Sequence, residues 1–301
     1  TDRIILLKKE LSNLNIEFKK PDINYSDSYF VIEKEKENKS IRFALGAIKG
    51  VGIASMNNLI KERNLNGEYK DIIDFMQRLS GDVINKRQLE KLIQSGSFDS
   101  INSERSKLFY NVPNFVDFYG GIKNNESNQD LLFEEKKLSF NDKNIFNQTV
   151  PDWPLNILLK NELDVIGFYF SDHPITLYPK NYFIENNIID FEDIDVEKNV
   201  LHVKVAGSIL DIKERSNKEG KKYAFLTISN TKSQFELSIF NDNLNLFRNL
   251  IKEGNVLIFT IDISRDSENT RMIIRKIEDL DKNFKSQTHR LNIFLSSNFQ
   301  T

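Results

Sequence analysis

At Leu201 the spacing of apolar residues changes period, and no other feature limits the possible folds of this chain as strongly. After it, Val203, Val205 and Gly207 alternate with polar positions, then Ala224, Leu226 and Ile228, then Phe235, Leu237 and Ile239. Val256, Ile258, Thr260 and Ile263 follow, and Met272-Ile273-Ile274 ends the series. An apolar residue at every second place turns one face of a strand toward a core. Between the third and fourth runs, residues 243–251 keep a helical spacing instead.

Five strands with a helix after the third predict a small Greek-key barrel of the oligonucleotide-binding (OB) type. Before Leu201 the period is helical. Ile53, Met56, Leu59 and Ile60 share one face of a helix over 52–63, and further helices are expected over 71–79, 85–95, 103–110 and 155–165. Pro113 should end or kink the fourth of these. The first forty residues give an amphipathic helix broken at Lys19-Lys20-Pro21-Asp22, an extended run at Tyr29–Ile32, and a charged hairpin or loop over Glu33–Lys39. The chain opens on Thr1-Asp2, without Met and with almost no lead-in to that helix, which reads as a piece of a longer protein. The fold class expected is therefore multidomain α + β, an all-α part followed by a five-stranded barrel.

Charge and composition exclude more than they assign. No apolar run approaches the roughly 20 residues of a membrane span, and no signal peptide opens the chain, so no membrane partner and a cytoplasmic location are expected. With no Cys, and with His173, His202 and His289 far apart, there is neither a disulfide framework nor a metal-ligand pattern. Net charge is −2, but nucleic-acid binders are recognised by local charge. Residues 41–110 hold 11 Lys+Arg against 8 Asp+Glu, and 204–222 hold 6 against 3. Between them 121–165 hold 5 against 8, so two basic blocks flank an acidic connector.

The first basic block contains Ile48-Lys49-Gly50-Val51-Gly52-Ile53. Glycines let a hairpin turn tightly and approach a surface closely. The helix after it presents free N–H groups and a positive dipole end, which suits a phosphate, and Lys49 adds a charge. An ordinary tight turn is the plainer alternative. A second unit starts at Asn85-Lys86-Arg87 and turns at Gly96-Ser97-Phe98-Asp99, without the Gly-x-Gly form. Two such units in tandem can grip a duplex through its phosphates without reading sequence, although Lys86 and Arg87 could equally be solvated helix charges.

The run Ile41-Arg42-Phe43-Ala44-Leu45-Gly46-Ala47-Ile48-Lys49-Gly50-Val51-Gly52 resembles the start of the tandem helix–hairpin–helix domain of bacterial DNA polymerase III alpha subunits. Upstream, Pro21-Asp22-Ile23-Asn24 with Ser28-Tyr29-Phe30 is similar to the segment that leaves that family's fingers domain. Downstream, Leu89-Glu90-Lys91-Leu92-Ile93 resembles its second unit. Glu162-Leu163, Ile166-Gly167-Phe168-Tyr169 and Ser171-Asp172-His173-Pro174 resemble its connector to the barrel. The resemblance implies a fingers segment over 1–34, a tandem helix–hairpin–helix domain over 35–118 and a connector over 119–195. An OB fold over 196–282 and the edge of a C-terminal domain over 283–301 complete that division. In this family the C-terminal domain contacts the tau subunit of the clamp loader, and only its edge (Arg290–Leu295) is present.

The resemblance also implies partners. Gln129-Asp130-Leu131-Leu132-Phe133 resembles the internal motif that docks on the beta sliding clamp, where Leu and Phe fill an apolar pocket and Gln orients them. Duplex DNA is expected at Lys49, Gly50, Val51, Gly52, Lys86 and Arg87. Single-stranded DNA is expected on the barrel's first hairpin, at Arg215, Lys218, Lys221, Lys222 and Tyr223, where aromatic rings in a basic groove stack bases. Tyr223 and Phe225 share a face by alternation; Phe225 is expected in the core, and Tyr223 either there or outside. His173, before Pro174, is expected to pack or cap.

Polymerisation needs carboxylates that hold two metal ions. In the family these lie in the palm, upstream, so this stretch is expected to be non-catalytic and without a cofactor of its own, the parent DNA-directed polymerase using Mg2+. Two other readings compete. An NAD-dependent DNA ligase combines barrel and hairpins in the reverse order with a cysteine zinc module, which a chain without Cys cannot contain. An interaction scaffold would use the hairpins structurally only.

Overall fold

The computed structural model describes residues 7, 10–11, 14–35, 38–79, 83–117, 150–194, 202–266 and 269–286. They form two compact units, Thr1–Pro174 and Ile175–Thr301.

The first unit begins with a three-stranded sheet: β1 (Glu17–Lys19), β2 (Val31–Glu35) and β3 (Asn38–Arg42) in the order β1-β3-β2. β2 and β3 form an antiparallel hairpin with Ile32 opposite Ile41, and β1 lies parallel to β3. Helices α1 (Ile53–Asn66), α2 (Ile72–Leu79), α3 (Lys86–Gln94), α4 (Arg105–Tyr110) and α5 (Leu155–Ile166) follow. α4 stops before Pro113, and residues 112–117 are helical again after a turn. Ile23, Phe43, Leu59, Phe75, Leu89 and Phe168 belong to one core. Phe18, Phe43, Phe168 and Phe170 meet there as a cluster of rings, with centroids 4.8 to 6.0 Å apart. β1, through Phe18, and α5 with its following loop, through Val165, Ile166 and Phe168, pack on the helical core. Ile53, expected on the apolar face of α1, is 42% exposed, while Met56 and Leu59 are buried.

The second unit is a closed barrel of β5 (Val203–Ser216), β6 (Lys222–Ser229), β7 (Gln234–Phe240), β8 (Val256–Asp266) and β9 (Asn269–Asp279). Neighbours run β5-β6-β7-β9-β8, and β8 pairs back onto β5. Helix α7 (Asn241–Phe247) lies between the third and fourth strands, the order of an OB fold. A shorter helix α6 (Lys180–Glu185) and strand β4 (Ile188–Ile189), parallel to β5, come before it, and α8 (Leu280–Ser286) follows. Tyr182, Ile188, Ala206, Ile258 and Leu280 form a second small core, in which α6, β4 and α8 pack with the barrel strands.

Alternation gave β6 and β7 their correct faces: Ala224, Leu226, Ile228, Leu237 and Ile239 fill the barrel. In β8 the phase is the opposite of the one expected for Val256, Ile258 and Thr260, while Ile263 faces inward as expected. Leu257, Phe259, Ile261 and Ile263 face the barrel core, and Ile258 faces the second core. Val256 and Ile258, which pack with the second core, are apolar like their neighbours Leu257 and Phe259, so periodicity cannot choose between the two faces at the start of this strand.

Candidate nucleic-acid interface

The first hairpin is held from below and open above. Ile48 and Val51 are 2% and 1% exposed and anchor it in the core, whereas Lys49, Gly50 and Gly52 lie on the surface. The Lys49 N–H donates to the Val165 carbonyl at 2.9 Å, and the Val51 N–H to that of Ile48 at 3.3 Å. Gly50 and Gly52 both have φ of +84°, a conformation side chains rarely adopt. Gly52 is the N-cap of α1, with no side chain capping that end and no acidic residue in its first turn. The free N–H groups of α1 thus point out beside Lys49, an arrangement that favours an anion.

Helix α3 closes the other side. Asn85 caps it, accepting from the Gln88 N–H at 3.0 Å, and the Gln88 side chain returns a bond from the Asn85 N–H at 3.0 Å. This box satisfies two N–H groups at the start of α3, where Lys86 and Arg87 are both exposed. A Cβ built on Gly50 would stand 3.8 Å from Cγ of Lys91 and 3.9 Å from Nε of Arg87. The structure therefore brings Lys49, Gly50, Val51, Gly52 and Arg87 to one place, with Lys86 one position before Arg87 on the same exposed turn. Lys49, Lys86 and Arg87 make no ion pair with any described residue. Lys91 and Gln88, which were not singled out from the sequence, line the same surface; their signals were the Asn-x-x-Gln capping spacing and the place of Lys91 four residues after Arg87.

The second hairpin does different work. Gly96, Ser97 and Phe98 are buried, and the N–H groups of Gly96 and Ser97 already donate to Ile93 and Leu92. A Cβ on Gly96 would lie 2.2 Å from Nη2 of Arg105. That guanidinium, 4% exposed, bonds Asp99 at 2.6 and 2.7 Å and the fully buried Glu162 at 2.8 Å. Glu162 also accepts the Phe170 and Ser171 N–H groups, at 3.1 and 3.0 Å, and the Ser171 hydroxyl. Of the two units expected in tandem, the first thus presents an exposed hairpin, and the second an enclosed turn together with the exposed start of α3.

On the barrel, β5, β6 and β7 present an aromatic and cationic outer face. Registers Arg215 to Tyr223 to Phe240 and Lys213 to Phe225 to Ser238 put these side chains on one side of the sheet. Tyr223 stacks near Phe240 with centroids 6.2 Å apart and meets Phe225 edge-on at 5.6 Å. The Arg215 guanidinium lies 5.7 Å from the Phe225 centroid, and Phe240 is 50% exposed. Phe225, expected in the core, stands on this outer face, because the smaller Ala224 and the aliphatic Leu226 take the inward positions. Tyr223 is half-buried on the same face. In the tip beyond it, Asn217 accepts the Glu219 and Lys221 N–H groups and fixes the turn. Lys218 has no ion-pair partner among the described residues, Lys221 is 3.2 Å from Glu219, and Lys222 lies in the field of Glu214. The Arg248 guanidinium, bonded at 2.8 and 3.2 Å, holds the Glu214 carboxyl below the usual carboxylate range.

Gln129, Asp130, Leu131, Leu132 and Phe133, and likewise Arg290–Leu295, lie outside the described residues. Among the described residues no helix is long and apolar enough to cross a membrane.

Comparison with known proteins follows the same outline. Residues 15–108 match the family model described as "Helix-hairpin-helix motif". The DNA polymerase III subunit alpha of Buchnera aphidicola (subsp. Acyrthosiphon pisum) is 30% identical over 98% of this chain and 26% of its own length. That of Neisseria meningitidis serogroup B is 32% identical over 83% of this chain and 21% of its own. The chain belongs to the DNA polymerase III alpha-subunit family. It spans about a quarter of the length of these relatives. The match to the Buchnera subunit runs through nearly the whole chain, hairpin and barrel included. Among solved structures, the OB domain of Ta0387 from Thermoplasma acidophilum is similar at 16% identity and a TM-score of 0.24, over 38% of this chain and 96% of that one.

Proposed function

We propose that this chain is a non-catalytic, DNA-holding region of a replicative DNA polymerase. Its first unit takes duplex DNA by the phosphates and its barrel takes single-stranded template. The observation that carries the reading is the exposed Lys49–Gly52 hairpin, with left-handed glycines, an uncapped helix start and, around it, the cations Lys49 and Arg87, which make no ion pair with a described residue. Such a site binds phosphate oxygens without reading bases, as an enzyme that copies any sequence requires. The face of Tyr223, Phe225 and Phe240, flanked by Arg215 and Lys218, supports the single-strand assignment, since stacking on rings is equally tolerant of sequence.

Membership of the polymerase family supports the rest of the proposal. Catalytic carboxylates and their Mg2+ belong to another part of the longer protein. Gln129–Phe133 docks on the sliding clamp, and tau is bound by a domain of which only the edge is here. Fluorescence anisotropy of labelled duplex and single-stranded oligonucleotides against the whole chain tests the assignment: Lys49→Ala weakens duplex binding, and replacing Lys218, Lys221 and Lys222 together by Ala weakens single-strand binding more. Equal loss of both ligands in each variant overturns the division of labour.

A further inference from the structure

The hairpin and helix α3 are joined by one side chain. Nε2 of Gln88 donates to the Val51 carbonyl at 2.5 Å and to the Ser55 hydroxyl at 2.8 Å, while its Oε1 accepts the Asn85 N–H at 3.0 Å. Both ends of the amide are used. Turned over, it would set oxygen against the Val51 carbonyl and forfeit the cap, so the partners fix one orientation. The tie falls where the backbone is softest, between two glycines at φ of +84°. Val51 is pinned through its buried side chain and Lys49 through its N–H to Val165, and among the described residues the Gln88 side chain supplies the hydrogen bond that ties the hairpin to the helix carrying Arg87 and Lys91. Those two lie four residues apart on one helical face, and both flank Gly50. There the Lys91 ammonium donates to Oε1 of Gln94 at 2.9 Å.

We infer that Gln88 is a positioning residue: it locks the hairpin to the first turn of α3, so that Lys49, Gly50, Gly52, Arg87 and Lys91 act as one phosphate-binding surface. The inference rests on the duplex-phosphate reading above. A merely structural Gln88 would contribute through the cap of α3, and Asn85→Ala removes the other half of that cap while leaving the Val51 tie. The two roles separate in the salt dependence of binding, which counts phosphate contacts.

The experiment titrates the whole chain into a short fluorescein-labelled DNA duplex at several salt concentrations, below each variant's unfolding midpoint. Lys49→Ala lowers the log–log slope by roughly 0.9, one contact. Gln88→Ala lowers it at least as much, and in that background Lys49→Ala adds little, the non-additivity of residues that act together. Asn85→Ala lowers the thermal midpoint and keeps the wild-type slope. If Gln88→Ala loses thermal stability as Asn85→Ala does but keeps the full slope, while Lys49→Ala does not, Gln88 is structural and the inference falls. If Lys49→Ala and Arg87→Ala both keep the wild-type slope, the phosphate reading itself fails and takes the role of Gln88 with it.

Discussion

Gly52 carries a backbone conformation, φ +84° and ψ 134°, in which a β-branched side chain is strained. Gly52→Val should cost about 1–3 kcal/mol of stability and displace the N–H groups of α1 that face a phosphate, so duplex affinity falls with it. The thermal midpoint and the anisotropy titration read the two effects separately. On the barrel, Tyr223 lies on the outer face, half-buried, with Phe240 beside it. Tyr223→Ala should weaken single-strand binding by about 1–3 kcal/mol if its ring stacks a base, with little change in melting. A large drop in melting with intact affinity would make the ring structural. Glu33 gives a pH dependence. Its hydrogen bonds to Arg42, the burial that opposes them, and Lys19 together leave its carboxyl below the usual range. A carboxyl depressed in the folded state stabilises fully above its unfolded pKa, and that contribution is lost as pH falls through the folded value. Melting of the wild type should therefore fall below about pH 4.3, the ordinary glutamate value, more steeply than that of Glu33→Gln.

At the scale of elements, the second hairpin and α5 are one construction. Arg105 and Glu162 are buried together, and removing one partner of such a pair typically costs about 3–5 kcal/mol. Glu162→Ala should destabilise the first unit by that order in denaturant unfolding; a change under about 1 kcal/mol, the range of an exposed pair, would show that the network does not hold the turn. This is also where sequence reading had least to work with. The Glu162–His173 segment looked like a linker because nothing in its local pattern reveals that Phe168 and Phe170 close a core built over a hundred residues earlier. Strands β6 and β7 were legible because each has one buried face; at the start of β8 four successive residues, Val256 to Phe259, are apolar, and its phase was not legible. The hairpin's glycines and the Asn85 cap announced themselves by residue type, whereas Gln88 and Lys91 acquire their meaning only when α3 is laid against the hairpin.

For the whole molecule, a net charge of −2 means that DNA binding depends on where the cations stand rather than on how many there are. The partner proposed for Leu132 and Phe133 follows from the resemblance at Gln129–Phe133. Burying each side chain in a pocket is worth about 1.5–3 kcal/mol, so Leu132→Ala with Phe133→Ala should weaken binding to the sliding clamp by on the order of a hundredfold or more. Calorimetric titration of purified clamp checks this, and equal heats from the two proteins would discard the motif. The central claim is that duplex DNA is held by phosphates at the first hairpin and the start of α3. The most direct measurement is the salt dependence of duplex affinity for the wild type and for Lys49→Ala with Arg87→Ala. Two lost contacts should flatten the log–log slope by roughly 1.8. A double variant that melts as the wild type does and binds duplex with the same slope would contradict the account.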